Sequence, residues 1–208
     1  MGQVIMGIEM TKEYYRKNAV QYSQDTINLD MSEIYSQFCQ YLKLGDRILD
    51  AGSGSGRDII AFKKMGYEVE AFDLSPELAE IATNNSGINV LVSSFDDYKT
   101  DGQFDGIWCC ASLLHVPLSQ LVGAIKNLSE ALKQNGVIYV SFKYGTQERE
   151  KEGLHITDMD EAGLSILVKE IKVLHILNTW KTDDSRPNRK EKWLNVILRK
   201  DSPRHPSH

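Results

Sequence analysis

Between residues 48 and 58 the chain reads Ile-Leu-Asp-Ala-Gly-Ser-Gly-Ser-Gly-Arg-Asp. An apolar pair runs into an acid, three glycines alternate with small residues, and an apolar helical pattern follows. That order describes a buried strand turning sharply into a helix. Glycine at such a turn permits positive φ and lets a ligand lie against the backbone without meeting a Cβ. A second strand-like run, Tyr67-Glu68-Val69-Glu70-Ala71-Phe72, ends in Asp73. An acid at a second strand's tip can accept both hydroxyls of a ribose. Strand, glycine turn, helix and strand together predict a mainly parallel, doubly wound α/β sheet.

The rest of the chain extends this alternation. Helical character spans 11–21 and, on an amphipathic pattern, 27–42, with residues 1–9 loosely held. Strands are expected at 47–51, 67–72, 88–92, 104–110 and 137–142. Helices are expected at 57–65, stopped by Gly66, and from Ser75-Pro76-Glu77 to Asn84-Asn85-Ser86-Gly87. The serine caps the second of these and proline fits its first helical position. A further helix, 118–133, ends on Asn135-Gly136, read as a C-terminal cap. Residues 146–153 are highly charged and read as an exposed loop, 158–168 as a helix, and 171–179 and 192–199 as closing strands. With 208 residues the chain reads as one domain. Its parts are N-terminal helices forming a lid (1–45), a Rossmann-like core (46–200) and a disordered tail (201–208).

Glycine spacing discriminates between cofactors. Dinucleotide folds use G-x-G-x-x-G, whose third glycine lets the helix pack closely with its N-terminus toward a pyrophosphate. Here the spacing is G-x-G-x-G, with Arg57-Asp58 immediately after and Asp50 immediately before. Asp50 would repel a pyrophosphate and suits an ammonium or sulfonium group. S-adenosylmethionine carries both cations and no phosphate.

These residues, with Gly66-Tyr67-Glu68-Val69-Glu70-Ala71-Phe72-Asp73, Phe104-Asp105-Gly106-Ile107-Trp108 and Ala111-Ser112-Leu113-Leu114-His115-Val116-Pro117, resemble class I S-adenosylmethionine-dependent methyltransferases. Within that superfamily they are similar to the tellurite-resistance methyltransferase group. The resemblance implies a seven-stranded sheet whose last strand is antiparallel and inserted between the fifth and sixth. It implies that Gly52, Ser53 and Gly54 line the methionine moiety with Asp50 at the base of the loop. It also implies that Asp73 holds the ribose, Leu74 lies against the adenine, and Ser94, Phe95 and Asp96 follow the third strand near the adenine ring. Asp96 reads equally as a simple turn residue. Cys110 and Ala111 would meet the cofactor mostly through their backbone.

Other candidates come from the residues themselves. Arg57, at the first turn of a helix, pairs either with the cofactor's carboxylate or with Asp58 or a surface acid. His115, at the mouth of the site, either deprotonates an oxygen or nitrogen nucleophile or packs with its ring on a carbonyl. Tyr14, Tyr15, Asn18 and Tyr22 are more aromatic and polar than a core stripe needs. They suggest a lid whose tyrosines face a sulfonium and a carboxylate, or rings packing the helix onto the sheet. Lys143, Tyr144, Gly145, Arg149, Trp180, Arg186 and Trp193 suggest an acceptor pocket with cationic and aromatic walls, suited to a small anion. The Cys109-Cys110 pair reads better as two small hydrophobes than as a metalloid site.

A net charge of −5 gives no general attraction for phosphate backbones, and the basic cluster Lys181, Arg186, Arg189, Lys190, Lys192 is diluted by Asp183, Asp184 and Glu191. Nucleic acid is therefore not expected as a partner. No run approaches the ~20 apolar residues that span a bilayer. Three cysteines make no disulfide framework, and a cytoplasmic location is expected. The expected activity is methyl transfer from S-adenosylmethionine to a small molecule (a metalloid oxyanion such as tellurite, a thiol or an amine), by a monomer or homodimer without metal. A catalytically silent cofactor-binding regulatory domain is the alternative.

Overall fold

A computed structural model of the chain describes residues 2–186 and 189–202; the expected disordered tail lies, from residue 203 on, outside the described residues. Two helices open the chain, α1 (Gly2–Thr26) and α2 (Ser32–Cys39). Alternation then runs β1 (Arg47–Ala51), α3 (Arg57–Lys64), β2 (Glu68–Asp73), α4 (Pro76–Ser86), β3 (Leu91–Val92) and β4 (Phe104–Cys109). A single 3-10 turn, Leu113–His115, precedes α5 (Leu118–Ala131) and β5 (Leu132–Lys143). The last elements are β6 (Glu148–Lys151), β7 (Leu154–Thr157), α6 (Glu161–Ile171), β8 (Leu174–Asp183) and β9 (Lys192–Lys200).

Seven strands form one sheet in the order β3-β2-β1-β4-β5-β9-β8. The first five are parallel, and β9 runs antiparallel to both β5 and β8. This is the insertion of the last strand that the resemblance implied. Strand order reverses at β1, which pairs with β2 on one side and β4 on the other, so a crevice opens beyond their carboxyl ends. Helices on both faces explain why β1 and β4 are apolar almost without alternation. One face packs Leu121, Ile125 and Leu128 of α5 and Leu164 of α6 onto Leu49, Ile107 and Val140. The other packs α2 and α3 onto Trp108 and Tyr139, whose rings stack at 4.0 Å.

Several boundaries differ from expectation, each for a local reason. Residues 2–9 continue α1 rather than hanging loose, and Glu9–Lys12, Glu13–Arg16 and Glu13–Lys17 ion pairs one turn apart support its exposed face. The second helix is confined to Ser32–Cys39; just ahead of it the Asp30 carboxylate accepts the Ser32 N–H at 2.9 Å. The third strand is only Leu91–Val92; the Val90 N–H is bonded to Thr83 Oγ1 of α4 at 3.0 Å. Asn135-Gly136 is turn chemistry inside a strand, not a helix cap. α5 ends at Ala131, β5 begins at once, and Asn135, at φ 63°, lies where its register against β4 slips.

The expected loop at 146–153 holds the first strand and the turn of a hairpin, β6 paired with β7. Its turn residues Glu152 and Gly153 sit at φ 55° and 83°, the doubly positive geometry that matches strand twist. α6 starts later than expected because Asp160 caps it, accepting the Gly163 N–H at 2.8 Å. Among the described residues no helix is long and apolar enough to cross a membrane.

Candidate functional site

Two adjoining cavities occupy the crevice. The smaller, about 90 Å³, has a floor made by the ends of parallel strands: Gly52 and Gly54 after β1, Asp73 closing β2 and Leu74 after it, Ser94, Phe95 and Asp96 after β3, and Ala111 and Ser112 after β4. Its roof is α1, through Thr11, Tyr15 and Tyr22. The larger, about 160 Å³, continues toward β5 and β9 past Arg57, Cys110, Tyr139, Lys143, Arg186 and Trp193. Tyr15, Tyr22, Ala111 and His115 border both.

The glycine turn is built for close approach. Gly52, at φ 87°, gives its N–H to the Phe72 carbonyl at 2.9 Å, and a Cβ there would lie 2.5 Å from that of Ser112. Gly56, the left-handed N-cap of α3, would press a Cβ to 3.0 Å from the Ala82 backbone of α4. The middle N–H, on Gly54, donates to Asp73 Oδ2 at 2.8 Å, and the Ser75 N–H donates to Asp73 Oδ1 at 2.9 Å. The carboxylate is thus fixed against the floor with acceptor capacity left on both oxygens. Burial pushes its pKa up to about 6 despite those bonds. Beneath the turn, Asp50 Oδ2 and Ser53 Oγ are buried without a partner. Burial, reinforced by the neighbouring Asp58 charge, pushes the Asp50 carboxyl well above the ordinary range.

Arg57 pairs with its neighbour in the structure. Its guanidinium clasps Asp58 through Nε and Nη2 at 2.7 and 2.9 Å, while its edge still walls the larger cavity. Asp58 also accepts Tyr35 Oη at 2.5 Å and Trp108 Nε1 at 2.8 Å. Burial alone would raise the Asp58 pKa; the Arg57 charge and these bonds outweigh it and hold it below the usual value. Cys110 Sγ lies 3.7 Å from Arg57 Nη2, and burial pushes its thiol up to about 12, the behaviour of an inert small hydrophobe. Ala111 holds φ 50°, costly for a residue with a Cβ, and its N–H is anchored on Ser141 Oγ at 2.8 Å.

His115 is wedged between α1 and the hairpin. Its Nδ1 is 2.8 Å from the His155 carbonyl, which can only accept, so Nδ1 carries the proton. Nε2 therefore offers a lone pair, 3.3 Å from Tyr15 Oη. Burial lowers its pKa to about 4, and the same burial, with Tyr22 and Asp73 nearby, pushes the Tyr15 phenol well above its usual value.

The expected acceptor wall is only partly assembled. Lys143 and Arg186 line the larger cavity, but each already has a carboxylate: Lys143 pairs with Glu191 at 2.6 Å, and Arg186 with both oxygens of Asp184 at 2.9 and 2.7 Å. Tyr144 points away, 38% exposed, donating to Glu161 at 2.9 Å beneath the Lys181 ammonium. Trp180 packs its ring 6.2 Å from that of Tyr139 instead of lining the cavity. Arg149 is bound to Asp158 at 3.0 Å. Asn18 is turned out of the crevice as well: its amide donates to the Tyr14 carbonyl one turn back, and it borders an outer groove with Lys17 and Gly153. Tyr14 borders both that groove and the larger cavity. Sequence reasoning missed Met31, Ile34, Asp184 and Asn195 as lining residues. Met31 and Ile34 follow from nothing but α2 packing under the cavity, whereas Asp184 was visible as an acid inside the basic cluster.

Residues 48–136, spanning the glycine turn through the start of β5, match the family described as "Methyltransferase domain". The ubiquinone biosynthesis O-methyltransferase of Xanthomonas campestris pv. campestris is 33% identical over 104 residues, 47% of this chain and 43% of that protein. The chain thus spans under half the length of the curated relatives of that group. An uncharacterized methyltransferase of Staphylococcus carnosus is 27% identical over 68% of this chain and 72% of its own. Among solved structures, a Burkholderia thailandensis 1,6-didemethyltoxoflavin-N1-methyltransferase, with bound 1,6-didemethyltoxoflavin and S-adenosylhomocysteine, superposes with a TM-score of 0.74. It covers 94% of this chain and 88% of its own at 19% identity. The magnesium protoporphyrin IX methyltransferase of Synechocystis PCC 6803, with bound S-adenosylmethionine, gives 0.67 over 92% and 96% at 15% identity. The fold is the Rossmann-like fold of class I methyltransferases.

Proposed function

We propose that the protein is an S-adenosylmethionine-dependent methyltransferase acting on a small organic acceptor. The observation that carries this reading is the Asp73 carboxylate, pinned by the Gly54 and Ser75 N–H groups on the floor of the smaller cavity with lone pairs to spare. Such a carboxylate suits a ribose diol. The turn itself suits a cation, not a pyrophosphate: Asp50 keeps an unpartnered buried oxygen, and an ammonium or sulfonium above it would restore the charge that burial suppresses. Leu74, Phe95 and the aliphatic wall of Leu78 and Val116 offer an apolar slot for a base. The cofactor supplies an electrophilic methyl group on a cationic leaving group.

The chain's own contribution is position and dryness. α1 closes over both cavities through Tyr15 and Tyr22, so an acceptor in the larger one meets the cofactor only across the junction at Ala111 and His115. Holding two reactants in line supplies ~7–11 kcal/mol in favourable cases. Calorimetry tests the reading: S-adenosylmethionine and S-adenosylhomocysteine are expected to bind and NADH not to, and absence of cofactor binding into the millimolar range would refute it. Release of S-adenosylhomocysteine on incubation with a cellular small-molecule extract separates an enzyme from a silent binding domain.

The charge balance of the larger cavity bears on the acceptor. Arg57, Lys143, Lys151, Arg186 and Arg189 all line it; Arg57 and Arg186 each have a carboxylate of their own, Asp58 and Asp184, while Lys143, Lys151 and Arg189 share Glu191. Tyr14, Tyr139, Trp193, Met31 and Ile34 add flat and apolar walls, which suit a ring-bearing molecule.

Asp73 also predicts a pH dependence. Its ionised form accepts the ribose, so cofactor affinity should fall as pH drops through its pKa of about 6. The dissociation constant is expected to rise roughly tenfold from pH 7 to pH 5, with a slope of one proton. Titration calorimetry across that range in two buffers checks it. A flat profile contradicts the assignment.

A further inference from the structure

We infer that Tyr15 and His115 form a proton relay at the junction of the two cavities, and that the acceptor is therefore a hydroxyl compound: an alcohol, phenol or enol. The inference rests on the methyltransferase reading above and names the acceptor class of that same site. It starts from placement, since both side chains border the cofactor-side and the acceptor-side cavity, where the transferred group must cross. Orientation follows. The His155 carbonyl, 2.8 Å from Nδ1, fixes the less usual tautomer and leaves the Nε2 lone pair directed at Tyr15 Oη, 3.3 Å away. Tyr15 is buried and comes from α1, while His155 comes from β7, so lid and hairpin together set the pair.

The surroundings keep the imidazole neutral and ready to accept. Burial is the main cause; Lys143 from β5 and His155 from β7 face it with positive or potentially positive charge, and Tyr15 from α1 brings an uncharged phenol. Beyond them, Glu148 on β6 is bound to His155 at 3.2 Å, on the far side of that ring.

Chemistry then selects the acceptor. A thiol ionises unaided near neutrality, with an ordinary pKa of about 8.5. An amine attacks as the free base, and its methylated ammonium loses a proton to water at leisure. A metalloid oxyanion carries its lone pair already. A hydroxyl is different: methylated before losing its proton, it becomes an oxonium far more acidic than any imidazolium. Its proton must leave as the methyl arrives, and even a weakly basic imidazole is a competent sink for it. The acceptor oxygen forms the new C–O bond as the C–S bond breaks and its electron pair goes to sulfur. The hydroxyl proton passes to Tyr15 Oη while the proton of Tyr15 passes to His115 Nε2. This leaves a neutral tyrosine and an imidazolium still donating from Nδ1 to the His155 carbonyl, and water removes the extra proton once product departs.

Two measurements test the relay. In protein labelled with 15N-histidine, the His115 ring at pH 7 is expected to show a protonated Nδ1 and a bare Nε2, with the Nε2 resonance shifted by Tyr15→Phe. A protonated Nε2 in the neutral ring would overturn the relay without touching the cofactor reading. Incubation of S-adenosylmethionine bearing a 13C-methyl group with protein and a cellular small-molecule extract is expected to yield a methoxy carbon resonance. His115→Gln and Tyr15→Phe are each expected to lower its rate of formation at least about a hundredfold. Added imidazole should restore part of the turnover of His115→Gly, which a purely structural role would not permit. A methyl group delivered to sulfur, nitrogen, selenium or tellurium, or no methylated product from protein that binds the cofactor, overturns the relay. Failure to bind the cofactor overturns the reading beneath it.

Discussion

Asp73→Ala is expected to weaken S-adenosylmethionine binding at least about a hundredfold. Two ribose hydroxyls donating to a carboxylate contribute about 1.5–3 kcal/mol each, and every 1.4 kcal/mol is tenfold in affinity. The substitution does more than delete an acceptor, because Asp73 also takes the N–H groups of Gly54 and Ser75. Their loss frees the glycine turn at its middle residue and loosens the start of α4. Asp73→Asn separates the two effects, since it keeps the shape while turning one oxygen into a donor. Circular dichroism confirms folding, and calorimetry reads affinity. A dissociation constant within threefold of the parent for Asp73→Ala would remove the ribose assignment and with it the main support for the cofactor.

Asp58→Ala should damage the fold itself. The 5% exposed Asp58 accepts from Arg57 twice, from Tyr35 and from Trp108, so its removal strands a guanidinium and two ring donors in the interior. Breaking a buried pair from one side costs about 3–5 kcal/mol. At this chain length a kilocalorie moves the midpoint by about 2–4 °C, so the thermal midpoint is expected to fall by roughly 6–20 °C. Removing both charges with Arg57→Met and Asp58→Leu together should recover much of that loss, because no uncompensated ion remains. Scanning calorimetry on the two variants decides it. A single variant as stable as its parent would mean that solvent reaches the pair. The wild-type protein carries the same signature in acid: the Asp58 pKa is held below its ordinary value, so its stabilising share is present above the unfolded carboxyl range and lost as pH falls through the depressed value.

The floor of the site was legible because its residues lie next to one another in the chain. Glycines at fixed offsets after an apolar run, and an acid closing the next run, are short-range signals, and β1, α3, β2 and α4 came out nearly to the residue. Asp73, Gly52 and Gly54 were named from them. The acceptor wall was not legible in this way, because it depends on which face each strand residue takes and on partners far along the chain. Lys143 and Arg186 were located correctly, yet their pairing with Glu191 and Asp184 is a tertiary fact. Tyr144, just past the end of β5, is turned to Glu161, and Trp180 turned to cover Tyr139. The Asn135-Gly136 signal was real turn chemistry with two outcomes, a helix cap or a strand irregularity, and only pairing with β4 selects the second. For the hairpin, charge at Glu148, Glu150 and Lys151 masked a two-residue turn.

One helix, α1, puts Tyr15 and Tyr22 over both cavities at once. Under the proposed function, donor and acceptor would therefore lie beneath the same helix. A mutation that loosens this helix is then expected to speed the escape of spent cofactor and of methylated product in step, a natural throttle on turnover.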